Sequence, residues 1–280
     1  MTSNPQRWAG IGGRVGSQVA RRAFAAEAEA RTADIVQVFL GNPRGWKAGQ
    51  PLSEAELGLV GFEPGQIPLV VHATYLINVV SATDEVRQKS IHALAEELDT
   101  AAKSRALGVV VHAGSAGKGG TAEQSLVRWR QAAEQLAEAG GEVGLWVENV
   151  ATGNPHPGRD PHGFVETVSA IQEIMGRRAG TCVDTCHAWA GGWTSDDAAT
   201  VAETVGVALI HLNGSNDDWG SGRDRHDNLP QSRIPPSWLD ELTSSISETQ
   251  GFTPAVIVET PGGEEAQRED IIWWRARRQT

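Results

Sequence analysis

The sequence predicts a single-domain α/β protein of the (β/α)8, or TIM-barrel, class. Two patterns carry that expectation. Eight short apolar runs rich in β-branched residues alternate with longer Ala/Glu/Leu/Arg stretches of helical period, in one unbroken series. No Gly-rich phosphate loop follows the first strand, because Gly10, Gly12, Gly13 and Gly16 fall before or within it. The sequence therefore lacks the mark of an open dinucleotide-binding sheet. A length of 280 residues suits one closed barrel.

In chain order, the first strand is expected over 14–19, around Val15 and Val19, and an Ala/Glu-rich helix over 20–31. Ile-Val-Gln-Val-Phe-Leu at 35–40 forms the second strand, and Leu-Val-Val-His with Ala73 at 69–73 the third. A long helical pattern at 84–107 leads to the fourth strand, 109–113, and a helix at 121–139 leads to the fifth, 143–149. Helices at 163–176 and 196–205 flank the sixth strand at 181–185. The seventh strand, 208–212, a helix at 236–250, the eighth strand at 255–260 and a last helix at 264–278 complete the series. Residues 1–13 precede the first strand and are expected to be a flexible extension, with the barrel domain running over 14–280. No tract of low complexity, no repeat and no linker divides the chain.

Composition bounds the function. Hydrophobic residues make up 40% and charged residues 21%, which excludes wholesale disorder. No apolar run approaches the ~18–20 residues of a membrane span, and the first residues offer no secretory signal. The two cysteines, Cys182 and Cys186, lie four apart in one segment, ~13 Å apart in an extended strand and too far to bridge, so no disulfide framework exists. Both are expected to be small buried apolar residues, and a cytoplasmic protein is expected. The net charge of −11 argues against a broad basic footprint for nucleic acid. That objection is weakened because metal-binding carboxylates count as charges in such a sum and are neutralised by their ions. Of the 24 basic residues 20 are arginine, the side chain shaped to fork onto phosphate.

The main functional signal is positional. Six of the eight strands carry a metal-type residue at or near the C-terminal end: His72, His112, Glu148, Asp184, His211 and Glu259. In a parallel barrel these ends converge on the rim where active sites form. Taken singly, a histidine after an apolar run is more often a hydrogen-bonded core residue than a ligand. Six at corresponding positions form a set. His187 follows in the loop of Asp-Thr-Cys-His, and Asp224 and His226 stand two apart in Arg-Asp-Arg-His, a spacing that points both side chains one way in an extended segment. Imidazoles and carboxylates without thiolates suit Zn²⁺ in open sites, with Mn²⁺ or Fe²⁺ also accommodated. A zinc needs about three protein ligands, so nine donors imply about two or three ions. His92, His156 and His162 are expected at the surface. Of the ten tryptophans most are expected in the core, with Trp46 and Trp189 near the rim.

The segments Phe39-Leu-Gly-Asn-Pro-Arg-Gly-Trp46, His72-Ala-Thr-Tyr-Leu-Ile-Asn78, Glu148-Asn149, Asp184-Thr-Cys-His-Ala188 and Asp224-Arg-His226 resemble the endonuclease IV family, whose members are apurinic/apyrimidinic (AP) endonucleases. The resemblance runs over nearly the whole chain. It implies a trinuclear zinc site. His72, His112 and Glu148 would hold the first ion, Glu148 with Asp184, His211 and Glu259 the second, and His187, Asp224 and His226 the third. It further implies that Glu148, Glu259, His112 and Asp184 take part in catalysis through the ions they hold. The implied reaction is hydrolysis 5′ to an abasic nucleotide in double-stranded DNA, leaving 3′-hydroxyl and 5′-deoxyribose phosphate ends, by a monomer. Arg44 and Tyr75 match DNA-contacting positions of the family.

Three departures accompany the match. Gln18 stands where the family has His in Gly-x-His-Val. Gly214 replaces an acid after Asn213. The loop Leu229-Pro-Gln-Ser-Arg-Ile234 lacks two family glycines, which removes backbone conformations suited to close approach to DNA. Two other readings share part of the pattern: a metal-dependent sugar isomerase or epimerase of the same barrel type, and a diverged paralogue that binds damaged DNA and cuts it weakly.

Overall fold

The computed structural model describes residues 8–152 and 157–278. Eight parallel strands close on themselves: β1 (Val15–Gln18), β2 (Val36–Val38), β3 (Leu69–His72), β4 (Gly108–His112), β5 (Gly144–Glu148), β6 (Ala179–Asp184), β7 (Val207–His211) and β10 (Ala255–Val258). β10 seals the ring between β7 and β1. A short antiparallel ribbon, β8 (Gly214–Ser215) and β9 (His226–Asp227), stands outside the ring. All eight expected barrel strands form, trimmed or shifted at their ends.

The helices follow the expected series: α1 (Phe24–Arg31), α3 (Asp84–Lys103), α4 (Ala122–Leu136), α5 (Pro161–Met175), α7 (Ser195–Thr204), α8 (Pro236–Gln250) and α9 (Gly263–Arg278). Their starts are chemically marked. Thr121 with Gln124 and Thr194 with Asp197 form capping boxes, and Asp160 caps α5 ahead of Pro161. Two short helices were not expected. α2 (Glu54–Leu57) is set by the Ser53–Glu56 capping box, and α6 (Thr185–Gly191) occupies the segment expected to be a loop.

The apolar residues divide into two layers. The larger cluster, including Val71, Leu98, Trp129, Phe164, Ile210 and Trp274, packs between barrel and helices. The smaller, with Ile35, Val70, Val110, Trp146, Cys182, Leu209 and Ile257, fills the barrel itself. Glycines make room for the large rings there. A Cβ on Gly108 would lie 2.5 Å from the Trp146 ring, and one on Gly180 would lie 2.4 Å from Trp8.

That packing corrects the expected N-terminal boundary. An extension flexible as far as Gly13 is not what forms: Trp8 and Ile11 are buried in the barrel cluster, and Trp8 meets Trp146 edge to face at 6.2 Å. Two large apolar side chains with an open barrel floor beneath the strands are better buried than solvated, each by roughly 1.5–3 kcal/mol. The domain therefore includes at least Trp8, and residues 1–7 lie outside the described residues.

Strand alternation then positions the site. Val70, Val110, Trp146, Cys182, Leu209 and Ile257 face the barrel interior, and two residues further on each chain places His72, His112, Glu148, Asp184, His211 and Glu259. A period of two keeps the second residue on the face of the first. Register reinforces this, pairing His112 with Glu148 and Asp184 with His211 across neighbouring strands.

Candidate metal centre

Glu148 lies at the middle of the rim, fully buried, with four imidazoles around its carboxylate. His211 Nδ1 stands 3.1 Å away, His72 Nε2 3.3 Å, His187 Nδ1 3.4 Å and His112 Nε2 3.5 Å. His187 and Asp184 reach the centre through one local device. Asp184 ends β6 and caps α6, accepting from the His187 backbone N–H at 2.7 Å, so the Asp-Thr-Cys-His spacing is that of a helix N-cap and its third residue. The ribbon β8–β9 returns the chain to the rim and delivers Asp224 and His226. Asp224 lies 3.2 Å from His187 Nε2 and 3.3 Å from His226 Nε2. Arg225, between them, turns the other way and pairs with Asp217, as an extended segment requires.

All nine side chains expected as ligands thus share one rim. Their donor atoms gather into the sets His72–His112–Glu148, Glu148–Asp184–His211–Glu259 and His187–Asp224–His226, each with atoms close enough to share one ion. The structure also brings in Cys186, grouped with Asp184 and His226, where only a small buried apolar residue was expected. Burial pushes its thiol up to about 12. Cys182 is buried and free as well. His92 and His162 are exposed on helices, and His156 lies outside the described residues.

Ring tautomers show what the centre needs. His72 Nδ1 stands 2.7 Å from the Ala73 carbonyl, and His187 Nδ1 2.9 Å from that of Asn149. A carbonyl only accepts, so these ring nitrogens carry the protons. The opposite nitrogens then turn lone pairs toward Glu148 and Asp224. His211 is fixed the same way: its Nε2 donates to Gln37 Oε1 at 2.9 Å, leaving Nδ1 facing Glu148 and Glu259. Lone pairs pointed at carboxylates repel unless a proton or a metal ion lies between. His226 Nε2 is buried without any hydrogen-bond partner, between Asp184 and Asp224. A donor set of imidazole and carboxylate with unpaired nitrogens aimed inward fits divalent metal.

The electrostatics agree. Burial works against charge on His187 and His211, yet nearby acidic groups, Asp184 at His187 and Cys182 and Glu259 at His211, raise both well above the ordinary imidazole value. Burial opposes ionisation of Glu148, but His211 and His112 hold its carboxyl well below the usual range. His112, pushed down to about 4 by burial, keeps a free lone pair at neutral pH. Positive charge is thus favoured at His187 and His211, beside the positions where cations would be held.

Sequence reading missed the groups that orient the donors. Gln37 bridges His211 to Glu259, its Nε2 donating to the carboxylate at 2.6 Å. Asn213 donates to Asp184 Oδ2 at 2.7 Å and accepts from the Glu259 backbone N–H at 2.8 Å. Asn149 accepts from the Asp184 backbone N–H at 2.6 Å. Gln37 had a signal: Ile35-Val36-Gln37 repeats the pattern of Val70-Val71-His72, placing a polar side chain at the inward strand end.

The departures in the last loops form one packed unit. A Cβ at Gly214 would lie 2.7 Å from both the Asp227 carbonyl and the Ser232 Cβ. Ser232 fills the space a side chain at 214 would need, and its hydroxyl accepts from the Ser215 and Ile234 backbone N–H groups. Ser232 has φ −60°, so this turn uses no conformation reserved for glycine.

Tyr75, 48% exposed, sits over His72 and His112, with ring centroids 5.5 and 6.0 Å away. Arg44 is exposed in the loop after β2. A cleft of about 230 Å³ opens onto the centre, lined by Tyr75, Asn78, His112, His187 and Asp224. Of the two tryptophans expected near the rim, Trp46 lies under Lys89, and Trp189 holds the Asp217 carbonyl of the ribbon loop.

A closed parallel barrel whose C-terminal rim gathers nine imidazole and carboxylate donors defines an α/β-barrel protein with a candidate metal centre. Residues 24–277 match the xylose isomerase-like TIM barrel family. "Probable endonuclease 4" of Mycobacterium tuberculosis (strain ATCC 25177 / H37Ra) is 36% identical over 94% of this chain and 98% of its own length. The protein of that name from Mycobacterium leprae (strain Br4923) is 37% identical over 93% and 97%. The crystal structure of endonuclease IV from Thermus thermophilus superposes with a TM-score of 0.76 at 28% identity, covering 95% of this chain and 99% of that one. A D-tagatose 3-epimerase-like protein shares the barrel alone, at 15% identity and TM-score 0.71 over 94% and 97%. The chain belongs to the endonuclease IV family. No helix among the described residues is long and apolar enough to cross a membrane.

Proposed function

We propose that the protein is a zinc-dependent DNA repair endonuclease that hydrolyses the phosphodiester bond 5′ to an abasic nucleotide, leaving 3′-hydroxyl and 5′-deoxyribose phosphate ends. The observation that carries this reading is the gathering of three donor groups around one buried carboxylate, Glu148, beneath the exposed Tyr75. The names of its relatives support DNA as the substrate class.

His72, His112 and Glu148 would hold the first zinc, Glu148 with Asp184, His211 and Glu259 the second, and His187, Asp224 and His226 the third. The same donors accommodate Mn²⁺ or Fe²⁺. Zinc bound there would supply a nucleophile from water at neutral pH and neutralise charge developing on the phosphate and the departing oxygen.

The chain's own residues do the rest. Glu148 belongs to two donor groups and ties them together. Gln37, Asn213 and the Ala73 and Asn149 carbonyls fix the donor atoms in place before substrate arrives. The narrow cleft beside Tyr75 suits a sugar-phosphate turned out of the duplex, which costs least where the base is already lost. Arg44, on its exposed loop, reaches into the duplex. The free buried thiols fit a reducing compartment, the cytoplasm, and the protein acts as a monomer.

The test is incision of a labelled duplex carrying one tetrahydrofuran abasic analogue, with zinc content measured on the same preparation. The expected result is a single cut 5′ to the lesion with about three zinc per chain. One ion and no incision would favour a sugar isomerase or epimerase. Full zinc without incision would favour a damage-binding paralogue.

A further inference from the structure

We propose that Asp270, on the outer helix α9, is a positioning residue that fixes the second and third donor groups relative to each other, one buried carboxylate gripping both the segment after Glu259 and the segment after His226. The proposal rests on the functional reading above and adds to it a residue outside the donor set.

Asp270 is fully buried, and three hydrogen-bond donors from two rim segments converge on it. On the first segment Thr260, next to Glu259, donates its hydroxyl to Oδ2 at 2.5 Å. On the segment that follows His226, Asn228 Nδ2 donates to the same oxygen at 2.8 Å, and the Leu229 backbone N–H donates to Oδ1 at 2.8 Å. A further contact fixes the direction of the Asn228 amide. A backbone carbonyl only accepts, so the group 3.0 Å from the Pro261 carbonyl is the Asn228 NH₂, which thereby bridges the two segments directly. An ionised carboxylate, accepting on both oxygens, satisfies all of these donors together.

The carboxylate stands on a rigid mount. One helical turn before it, Gln267 donates to the Thr260 carbonyl at 2.9 Å and accepts from the buried Arg31 of α1 at 2.8 Å. Ile271 and Trp274 of the same helix are buried in the layer between barrel and helices. α9 therefore holds Thr260 by hydroxyl and carbonyl at once, while Asn213 holds the Glu259 backbone N–H just before it.

His226 has less support of its own. Its Nε2 has no hydrogen-bond partner among the described residues. Its backbone is held by the short β8–β9 pairing and by Asn216, which donates to its carbonyl at 3.0 Å. The grip of Asp270 on Asn228 and Leu229 anchors the chain on its C-terminal side. A ring without a partner is placed by its backbone, so this anchor helps set how far His226 stands from Glu259.

Substitutions at positions 270 and 260 test the grip from either end. Asp270→Asn keeps the size but replaces one oxygen by an NH₂, so whichever way the amide turns, either Leu229 or the Thr260–Asn228 pair loses its acceptor. Thr260→Val removes only the hydroxyl on the Glu259 side and leaves the carboxylate in place, and Thr260→Ser restores that hydroxyl. Full-length wild type, D270N, T260V and T260S are compared by stepwise zinc competition against a chromophoric chelator. Melting temperature is measured on each, and kcat and KM on a tetrahydrofuran duplex are read under saturating zinc, well below the lowest melting point.

D270N is expected to weaken at least one zinc-binding step about ten- to a hundredfold, the usual cost of losing a group that orients ligands. At least one other step should stay within about threefold of wild type, because His72, His112 and Glu148 lie on other strand ends. With zinc saturating, kcat should fall about tenfold or more while KM stays within about threefold, since Asp270 grips neither the Arg44 nor the Tyr75 loop. T260V should show a shift of the same kind of about tenfold, and T260S one of no more than about twofold. A lowered melting point with unchanged zinc steps and kcat, or equal weakening of every step, would overturn the proposal, because Asp270 would then serve the fold alone. T260S as impaired as T260V would overturn it as well, and should D270N not fold, this pair decides. A wild type that binds about three zinc without cutting the duplex would overturn the functional reading alone and leave the zinc steps to judge Asp270. A wild type that takes up a single ion would overturn both.

Discussion

The side-chain amide of Gln37 donates to the Glu259 carboxylate at 2.6 Å, linking β2 to the end of β10 across the intervening β1. Its oxygen takes the proton of His211, so one neutral side chain orients two donors of the same group. Removing it should loosen that group without unfolding the barrel. Gln37→Leu is expected to lower zinc affinity about ten- to a hundredfold, as loss of an orienting partner usually does. Competition against a chromophoric chelator measures this. Unchanged affinity would show that His211 and Glu259 need no such support.

Glu259→Gln tests the donor group itself. The Glu259 backbone N–H remains bonded to Asn213 Oδ1, so the strand end should hold its position and circular dichroism should be unchanged. The side chain, 3.3 Å from His211 Nδ1, would lose its charge. Incision of an abasic duplex is expected to fall by at least about a hundredfold. Turnover near the wild-type rate would refute the assignment of Glu259 as a ligand.

Metal uptake should release protons. His187 and His211 are held protonated above the ordinary imidazole value by their acidic neighbours, and only the deprotonated ring can ligate. Zinc must displace those protons, so affinity climbs as pH rises through the neutral range and is lost on acidification. Titration calorimetry in buffers of different ionisation enthalpy reads the number released. An enthalpy independent of buffer would mean that the rings are already neutral. Chelation with EDTA should abolish incision, and zinc should restore it.

The ligand set is legible in the sequence because two periodic signals coincide in it. An apolar strand run announces its own end, and a period of two states which residues at that end face inward, so His72, Glu148 and Glu259 can be read without a fold in hand. Gln37 obeys the same rule but escapes notice because an amide is not a usual zinc ligand. Its importance comes from partners on other strands, which spacing along one strand cannot reveal. α6 looks like a loop in the sequence because it spans only Thr185–Gly191 and its cap, Asp184, is itself a candidate ligand. Trp8 and Ile11 look like an extension because they precede the first strand, and only the closed barrel creates the floor that buries them.

Arg44 separates substrate binding from metal binding. Its backbone N–H donates to Asn42 Oδ1 at 3.0 Å, while its side chain is exposed on the loop after β2 and belongs to none of the donor groups. Arg44→Ala should weaken binding to an abasic duplex about tenfold, in the range of a contact to DNA, and leave zinc per chain unchanged. Fluorescence anisotropy with metal analysis checks both. Loss of zinc would place Arg44 in the metal centre.

Glu97 makes the neighbouring loops sensitive to pH. Its carboxylate, buried on α3, accepts from the Thr74 backbone N–H at 3.1 Å. The Thr74 hydroxyl in turn donates to the Pro43 carbonyl at 2.8 Å, and the Tyr75 N–H reaches the same carbonyl, so the Arg44 and Tyr75 loops rest on this side chain together. Burial raises the Glu97 carboxyl to about 7. A folded acid with a raised pKa binds its proton more tightly than the unfolded chain does. Stability is therefore greatest below the unfolded value near 4.5, declines as pH climbs through 7, and levels off above it. The full difference is at most about 3 kcal/mol. Glu97→Gln keeps an acceptor for Thr74 and removes the titration. The variant should melt above the wild type at pH 8, by about 1–3 kcal/mol of stability, and at or slightly below it at pH 5. Thermal unfolding of the metal-stripped proteins at both values decides the matter, and a variant less stable at pH 8 would show that the charge on Glu97 is wanted where it stands.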